Sequence, residues 1–138
     1  MPITTSIDVR FYELDPYGHV NHAVYLNYFE VARIELLDRI GWGLSRLQAL
    51  GYHLVVVEAA LSFRAPAVAG DRLTVHSQLG ELKRATAVWH QRIVREADDR
   101  MIADNRVRST VTDLSGRPCA APAELLEALR PLQPSQVA

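Results

Sequence analysis

The sequence predicts an α+β fold, with an antiparallel β-sheet wrapped around one long central helix. Three observations lead there. One stretch, from about His22 to Ile40, places Tyr25, Phe29, Ala32, Leu36 and Ile40 at spacings of three and four, on a single helical face. Much of the rest of the chain alternates apolar and polar residues with the period of two that marks half-buried strands. Those strands are separated mostly by short turns, which pair consecutive strands antiparallel.

The elements follow in order. Ile3 to Tyr12 reads as a first strand, with Ile3, Ile7, Val9 and Phe11 on one side and Thr4, Ser6, Asp8 and Arg10 on the other. Asp15-Pro-Tyr-Gly ends it, because Pro16 presets a turn and Gly18 accepts a positive φ. Asn21 is placed to cap the long helix, and Gly41 and Gly43 stop it. Val24, Tyr28 and Val31 widen its apolar stripe, while Glu30, Arg33, Glu35, Asp38 and Arg39 are left mainly for the other side. Leu44 to Leu50 is a further short helical turn ending at Gly51.

Leu54 to Phe63 is an apolar, partly β-branched strand, broken by Ala65-Pro-Ala-Val-Ala-Gly-Asp. Arg72 to Leu82 alternates, with Leu73, Val75 and Leu79 on one side. Lys83 and Arg84 sit near a hairpin, after which Thr86 to Arg95 resumes as strand. Met101 to Thr112 alternates again, with Met101, Ala103, Val107 and Val111 set against Asp104, Arg106, Arg108 and Thr110. Pro122 to Arg130 is a short terminal helix. The polar tail from Pro131 to Ala138 is expected to fray.

Size and composition bound the answer. The chain has 138 residues, 49% of them hydrophobic, which suits one domain with one core over residues 1–138. With 15 basic against 16 acidic side chains, the net charge of −1 asks for neither nucleic acid nor an anionic membrane surface. No apolar run approaches the roughly 20 residues that cross a bilayer. The N-terminus lacks a basic segment followed by an apolar one, so no signal peptide is expected. The lone Cys119 excludes an internal disulfide and fits a reducing cytoplasm.

Polar chemistry concentrates at the mouth of the long helix. Asp15, His19, Asn21 and His22 fall close together just before the most apolar helical run. A carboxylate can act as general base or nucleophile. Backbone N–H groups at a helix N-terminus are unsatisfied and partly positive, so they suit a carbonyl oxygen that gains charge. Asp15 is near enough to such a terminus for one substrate carbonyl to meet both. Read as structure alone, Asp15 is a turn residue and His22 a first-turn residue. His19 and His22 have a spacing that two metal ligands could share, but no third or fourth ligand is apparent, so no metal is expected. Glu58 is an acid in an apolar strand, which points to a dimer contact or a pocket. The apolar strand from Leu54 to Phe63 is itself too greasy for an open edge.

The run Asp15-Pro-Tyr-Gly-His-Val-Asn-His-Ala-Val-Tyr-Leu-Asn-Tyr-Phe-Glu-Val-Ala-Arg33 closely resembles the signature of hotdog-fold thioesterases of the 4-hydroxybenzoyl-CoA thioesterase type. Phe63-Arg-Ala-Pro-Ala-Val-Ala-Gly-Asp-Arg-Leu73 is similar to the family's aromatic-x-x-Pro-x-x-x-Gly-Asp turn, and Val111-Thr-Asp-Leu-Ser-Gly-Arg-Pro118 to its last strand and turn. The resemblance implies a hotdog fold and an acyl-CoA thioesterase that releases a free acid and coenzyme A without a metal or redox cofactor. It implies a homodimer or homotetramer with sites at the interface. Asp15 takes the place of the family's catalytic aspartate. His22, seven residues later, falls where a backbone N–H polarises the thioester carbonyl, and its imidazole has a proposed catalytic role in one bacterial branch. Tyr17, Gly18, Asn21 and Tyr25 are expected around the substrate. Lys83 and Arg84 are candidates for the phosphates of coenzyme A, with Arg64 a weaker one. Phe11 departs from members that carry Tyr there. Glu30, on the helix, is a back-up acid. The alternatives are a thioesterase for acyl groups on acyl carrier protein and a non-catalytic acyl-CoA-binding module.

Overall fold

The computed structural model describes residues 3–134. Five strands and three α-helices follow one another: β1 (Ile3–Asp8), α1 (Val24–Arg39), α2 (Leu44–Ala49), β2 (Tyr52–Phe63), β3 (Arg72–Leu82), β4 (Thr86–Arg95), β5 (Arg100–Asp113) and α3 (Ala123–Leu129). The strands form one sheet in the order β1-β3-β4-β5-β2, and every neighbouring pair is antiparallel. The helix-on-sheet arrangement expected from the sequence is therefore the one observed.

One connection departs from the expected run of paired neighbours. β2 and β3 are consecutive in sequence, yet they do not touch: β2 pairs β5 at one edge, and β3 lies beside β1 near the other. The segment between them crosses the end of the sheet and is held there by backbone bonds to the Asp15 region. Val20 N–H donates to Ala67 O at 2.9 Å, His19 bridges Val68, and Val9 N–H donates to Asp71 O at 3.0 Å. This crossing builds one wall of the cleft described below.

The helix buries the stripe its spacing predicts. Tyr25, Phe29, Ala32 and Leu36 are inaccessible, as are Tyr28 and Leu37, and they pack on Leu73, Val75, Leu79, Ile93 and Val107 from the sheet. Each fully buried Leu or Phe contributes about 1.5–3 kcal/mol. Val31, placed in the stripe by sequence, is exposed instead. Arg33, expected on the solvent side, turns inward: its guanidinium donates to Gln91 Oε1 at 2.8 Å, and burial lowers its pKa. Gln91 Nε2 in turn donates to Phe29 O at 3.0 Å and Ser77 Oγ at 2.9 Å, pinning the middle of α1 to the sheet.

Other boundaries moved for identifiable reasons. β1 stops at Asp8, and Phe11–Glu13 form a 3-10 turn because the Glu13 carboxylate accepts the Arg10 N–H at 2.8 Å. Phe11, expected to point inward, is consequently 80% exposed. In β5 a register shift opposite Ile93 and Val94 turns Met101 outward and buries Ile102. Glu58 is exposed and lies between Arg106, at 3.5 Å, and Arg108, at 4.0 Å. Of the tail, Arg130–Leu132 form a 3-10 turn, and residues 135–138 lie outside the described residues.

Candidate active site

The loop before α1 is a small closed hairpin. Leu14 and Val20 bridge, Asp15 N–H donates to His19 O at 2.6 Å, and Gly18 N–H donates to Asp15 O at 3.1 Å. Gly18 has φ of 80°, a conformation that favours glycine. Inside this turn the Asp15 carboxylate is held by its own loop: Oδ1 accepts the N–H of Tyr17 at 2.9 Å and of His19 at 3.1 Å. Oδ2 accepts no hydrogen bond among the described residues. One oxygen alone fixes the side chain.

The helix opens beside it. Asn21 Oδ1 accepts the Ala23 N–H at 2.9 Å, and Asn21 O accepts the Val24 N–H at 2.9 Å. Asn21 thus does the work of an N-cap, although regular helix begins at Val24 rather than His22. The His22 N–H has no hydrogen-bond partner among the described residues. It is a free donor at the positive end of a sixteen-residue helix.

Asp15, His22 and Tyr25 line one open cleft of about 340 Å³, whose other wall is Phe63, Arg64 and Pro66. The Phe63 ring stands edge-on to His22, with centroids 6.5 Å apart, and tilts over Tyr25 at 5.7 Å. Burial raises the Tyr25 pKa, a hydrogen bond with the Ala67 backbone acts against this, and the nearby Asp15 and Asp71 charges add to the rise. Tyr25 is therefore a protonated hydroxyl at neutral pH. Arg64 points its Nε at Asp104 Oδ2, 2.9 Å away.

Not every expected site residue lies here. Tyr17 sits at the loop tip with 84% of its surface in solvent, and Gly18 and Asn21 shape backbone instead of lining the cleft. Glu30 is exposed further along α1, in a groove with Arg33, Ile34 and Leu54. Lys83 and Arg84 occupy the β3–β4 turn, at the far end of an eleven-residue strand, about 30 Å from the cleft end of the same sheet. Lys83 pairs there with Glu81 at 3.3 Å. Within one chain they do not meet Asp15.

Two contributors escaped the sequence reading. Phe63 was visible only as part of a turn motif, since nothing in its spacing announces that its ring crosses to the helix mouth. Glu13 was hidden by the strand pattern around it. Its carboxylate accepts the Tyr28 hydroxyl at 2.8 Å, and its backbone O accepts the Asn21 N–H at 2.9 Å.

An antiparallel sheet packed on one helix, with Asp15 and His22 at one cleft, is the arrangement expected of a hotdog-fold thioesterase. Comparison with known proteins agrees. The family model described as the thioesterase-like superfamily matches residues 9–129. The long-chain acyl-CoA thioesterase FadM of Escherichia coli (strain K12) is 37% identical over 113 residues, covering 80% of this chain and 83% of FadM. The acyl-acyl carrier protein thioesterase ATL2 of Arabidopsis thaliana, a chloroplastic protein, is 29% identical over 120 residues, 87% of this chain and 64% of its own. A crystal structure of a thioesterase from Thermus thermophilus, complexed with coenzyme A and Zn, superposes with a TM-score of 0.81 at 30% identity, covering 94% of this chain and 93% of that one. The chain belongs to the thioesterase-like superfamily, and it is a thioester hydrolase.

Proposed function

We propose that this protein is an acyl-CoA thioesterase, formed by residues 1–138 as one catalytic domain, in which Asp15 and the backbone amide of His22 act together on the thioester carbonyl. The observation that carries this is the pairing across one cleft of a loop-held carboxylate, whose Oδ2 is unoccupied by any hydrogen bond among the described residues, with the unbonded His22 N–H. The thioester oxygen accepts the His22 N–H, and its developing charge lies on the axis of the α1 dipole. Asp15 takes a proton from water as the water oxygen bonds to the carbonyl carbon. The tetrahedral intermediate then expels the thiolate, the C–S bond breaks, and the proton held by Asp15 returns to sulfur. Direct attack by Oδ2, through a mixed anhydride, uses the same geometry. The His22 imidazole stands edge-on to Phe63 in the same cleft, where it can meet the substrate. Tyr25 supplies a hydroxyl beside Asp15.

The working unit in this reading is a homodimer joined through β2, or a homotetramer built from it. β2 is an edge strand of twelve residues, and Val55, Val56, Val57 and Phe63 on it are exposed. A long apolar edge is a template for pairing with another strand. Antiparallel β2–β2 pairing carries the partner's β3–β4 turn to the end of the sheet where Asp15 lies. Lys83 and Arg84 of the partner subunit are then the cations for the phosphates of coenzyme A. No helix among the described residues is long and apolar enough to cross a membrane, and a cytoplasmic location fits the single unpaired Cys119.

A second reading, hydrolysis of acyl groups carried by acyl carrier protein, is favoured by the similarity to ATL2. Parallel assays of one acyl group on coenzyme A and on acyl carrier protein, with released thiol measured, separate the two. The proposal expects the higher kcat/KM on coenzyme A. Turnover confined to the carrier-linked substrate moves the assignment to the second reading.

A further inference from the structure

A concavity of about 510 Å³, larger than the Asp15 cleft, opens on the outer face of the sheet. Its position follows from register. His76, Arg92, Asp104 and Ser62 lie side by side across β3, β4, β5 and β2, and Gln78, His90, Arg106 and Ala60 form the next row but one along the strands. The intervening row, Ser77, Gln91 and Asn105, is buried toward α1. The rows on either side of it therefore face away from the helix.

The charge in this bowl is unbalanced. Arg92 has no carboxylate within ion-pair distance among the described residues. Asp104 is already committed to Arg64 at 2.9 Å, and Arg106 shares Glu58 with Arg108. His76 stands opposite Arg92, and His90 opposite Arg106. Such like-signed cross-strand pairs cost stability when the histidines are charged, and an anion bound between them relieves that cost. Burial and the Arg92 charge lower the His76 pKa, with Asp99 acting the other way. Gly80 lies under the His90 ring: a Cβ there would come within 2.8 Å of it, so glycine lets the imidazole lie against the sheet.

We propose that this outer-face bowl binds a phosphate-bearing ligand of nucleotide size through Arg92 and Arg106, with His90 and Gln78 as further donors. The volume lies within the roughly 300–1,000 Å³ of small-molecule sites. Arginine is the side chain whose planar fork matches phosphate oxygens. A second copy of the chain is a poor occupant, because stacking two such faces would bring two Arg92 guanidiniums together with no carboxylate partner of their own. The ligand has two candidate sources. One is the nucleotide tail of coenzyme A, held here in place of the partner's Lys83 and the partner's Arg84 and reaching over the end of β2, where Arg64 in the Asp15 cleft and Asp104 in the bowl are joined by their ion pair. The other is a free nucleotide. The first source rests on the acyl-CoA reading above; the second does not.

The test is calorimetric titration of the full chain with coenzyme A and with ADP, at low and at 0.5 M salt, for the parent, Arg92→Ala and Arg92→Gln. Binding is read without turnover, so the outcome is independent of whether Asp15 is the catalytic acid. The proposal expects ADP binding that weakens at least tenfold in both variants and falls with salt. If the tail of coenzyme A is the ligand, coenzyme A binding weakens equally and KM for acyl-CoA rises about tenfold. If a free nucleotide is, coenzyme A binding and KM stay within twofold. Affinities for both probes within twofold of the parent in both variants, or no ADP binding by the parent, overturn the proposal. So does a parent tetramer that becomes a dimer in Arg92→Ala with unchanged probe affinities, which assigns the face to a second copy.

Discussion

The Tyr28 hydroxyl donates a 2.8 Å hydrogen bond to the Glu13 carboxylate, and this contact fastens the buried face of α1 to the corner from which the Asp15 loop departs. Glu13 also accepts the Arg10 N–H and pairs with the Arg10 guanidinium at 3.3 Å. One acid thus joins strand, loop and helix.

Replacing Tyr28 with Phe removes a bond to a charged acceptor. Burial, together with the Glu13 charge, holds the Tyr28 pKa far above its ordinary value, so the hydroxyl stays a donor across the working pH range. The variant should lose about 1.5–3 kcal/mol in urea unfolding. Its kcat should also fall, because the loop that aims Asp15 loses its tie to the helix. Unchanged stability with unchanged kcat would mean that Glu13 does not hold the loop.

Pairing through β2 is testable at its centre. Val57 is 54% exposed on the open edge, and a two-fold axis through the middle of the strand would bring two copies of this region together. Val57→Lys would set like charges opposite each other. Light scattering at micromolar concentration should report a dimer or larger for the parent and monomer for the variant. A parent that is monomeric under these conditions removes β2 pairing from the account.

Asn105 carries a prediction of opposite sign. Both polar atoms of its amide are buried without a hydrogen-bond partner in the described chain. Exchange for a similarly shaped apolar group removes that desolvation cost, so Asn105→Leu should leave stability unchanged or raise it by about 1–2 kcal/mol. A clear loss in the denaturation midpoint would show that the amide has a partner in the assembled protein.

His76 gives a pH signature. Its folded pKa is lowered, chiefly by burial and then by Arg92, so the unfolded chain binds the extra proton more readily. Its contribution to stability is complete above the unfolded value of about 6.5 and declines as pH falls through it toward the folded pKa. Urea midpoints measured from pH 8 to pH 5 should decline less steeply for His76→Gln than for the parent. Identical slopes would contradict this.

Much of this was legible in the residues. The helical spacing of Tyr25, Phe29, Ala32 and Leu36 named the face that became buried, and the alternation in β3 assigned Leu73, Val75 and Leu79 to the core correctly. The family resemblance placed Asp15 and His22, and the fold sets both at one cleft. What stayed hidden depended on long-range geometry. The crossing from β2 to β3 is fixed by bonds from Val20 and His19 to the loop at Ala67 and Val68, which no local pattern encodes. Phe11 looked like a strand residue because its parity matched Val9, but the Glu13 side chain had already turned the backbone. The resemblance put Tyr17 near the substrate, and within one chain the turn leaves 84% of its surface in solvent.

The most direct test concerns the loop-held acid. Asp15→Asn keeps the shape and the acceptor Oδ1 for the Tyr17 and His19 amides, but it removes the base and nucleophile. With released thiol measured on an acyl-CoA panel, kcat should fall by roughly two to four powers of ten while the unfolding midpoint changes little. Hydrolysis by Asp15→Asn at the parental rate would contradict the account.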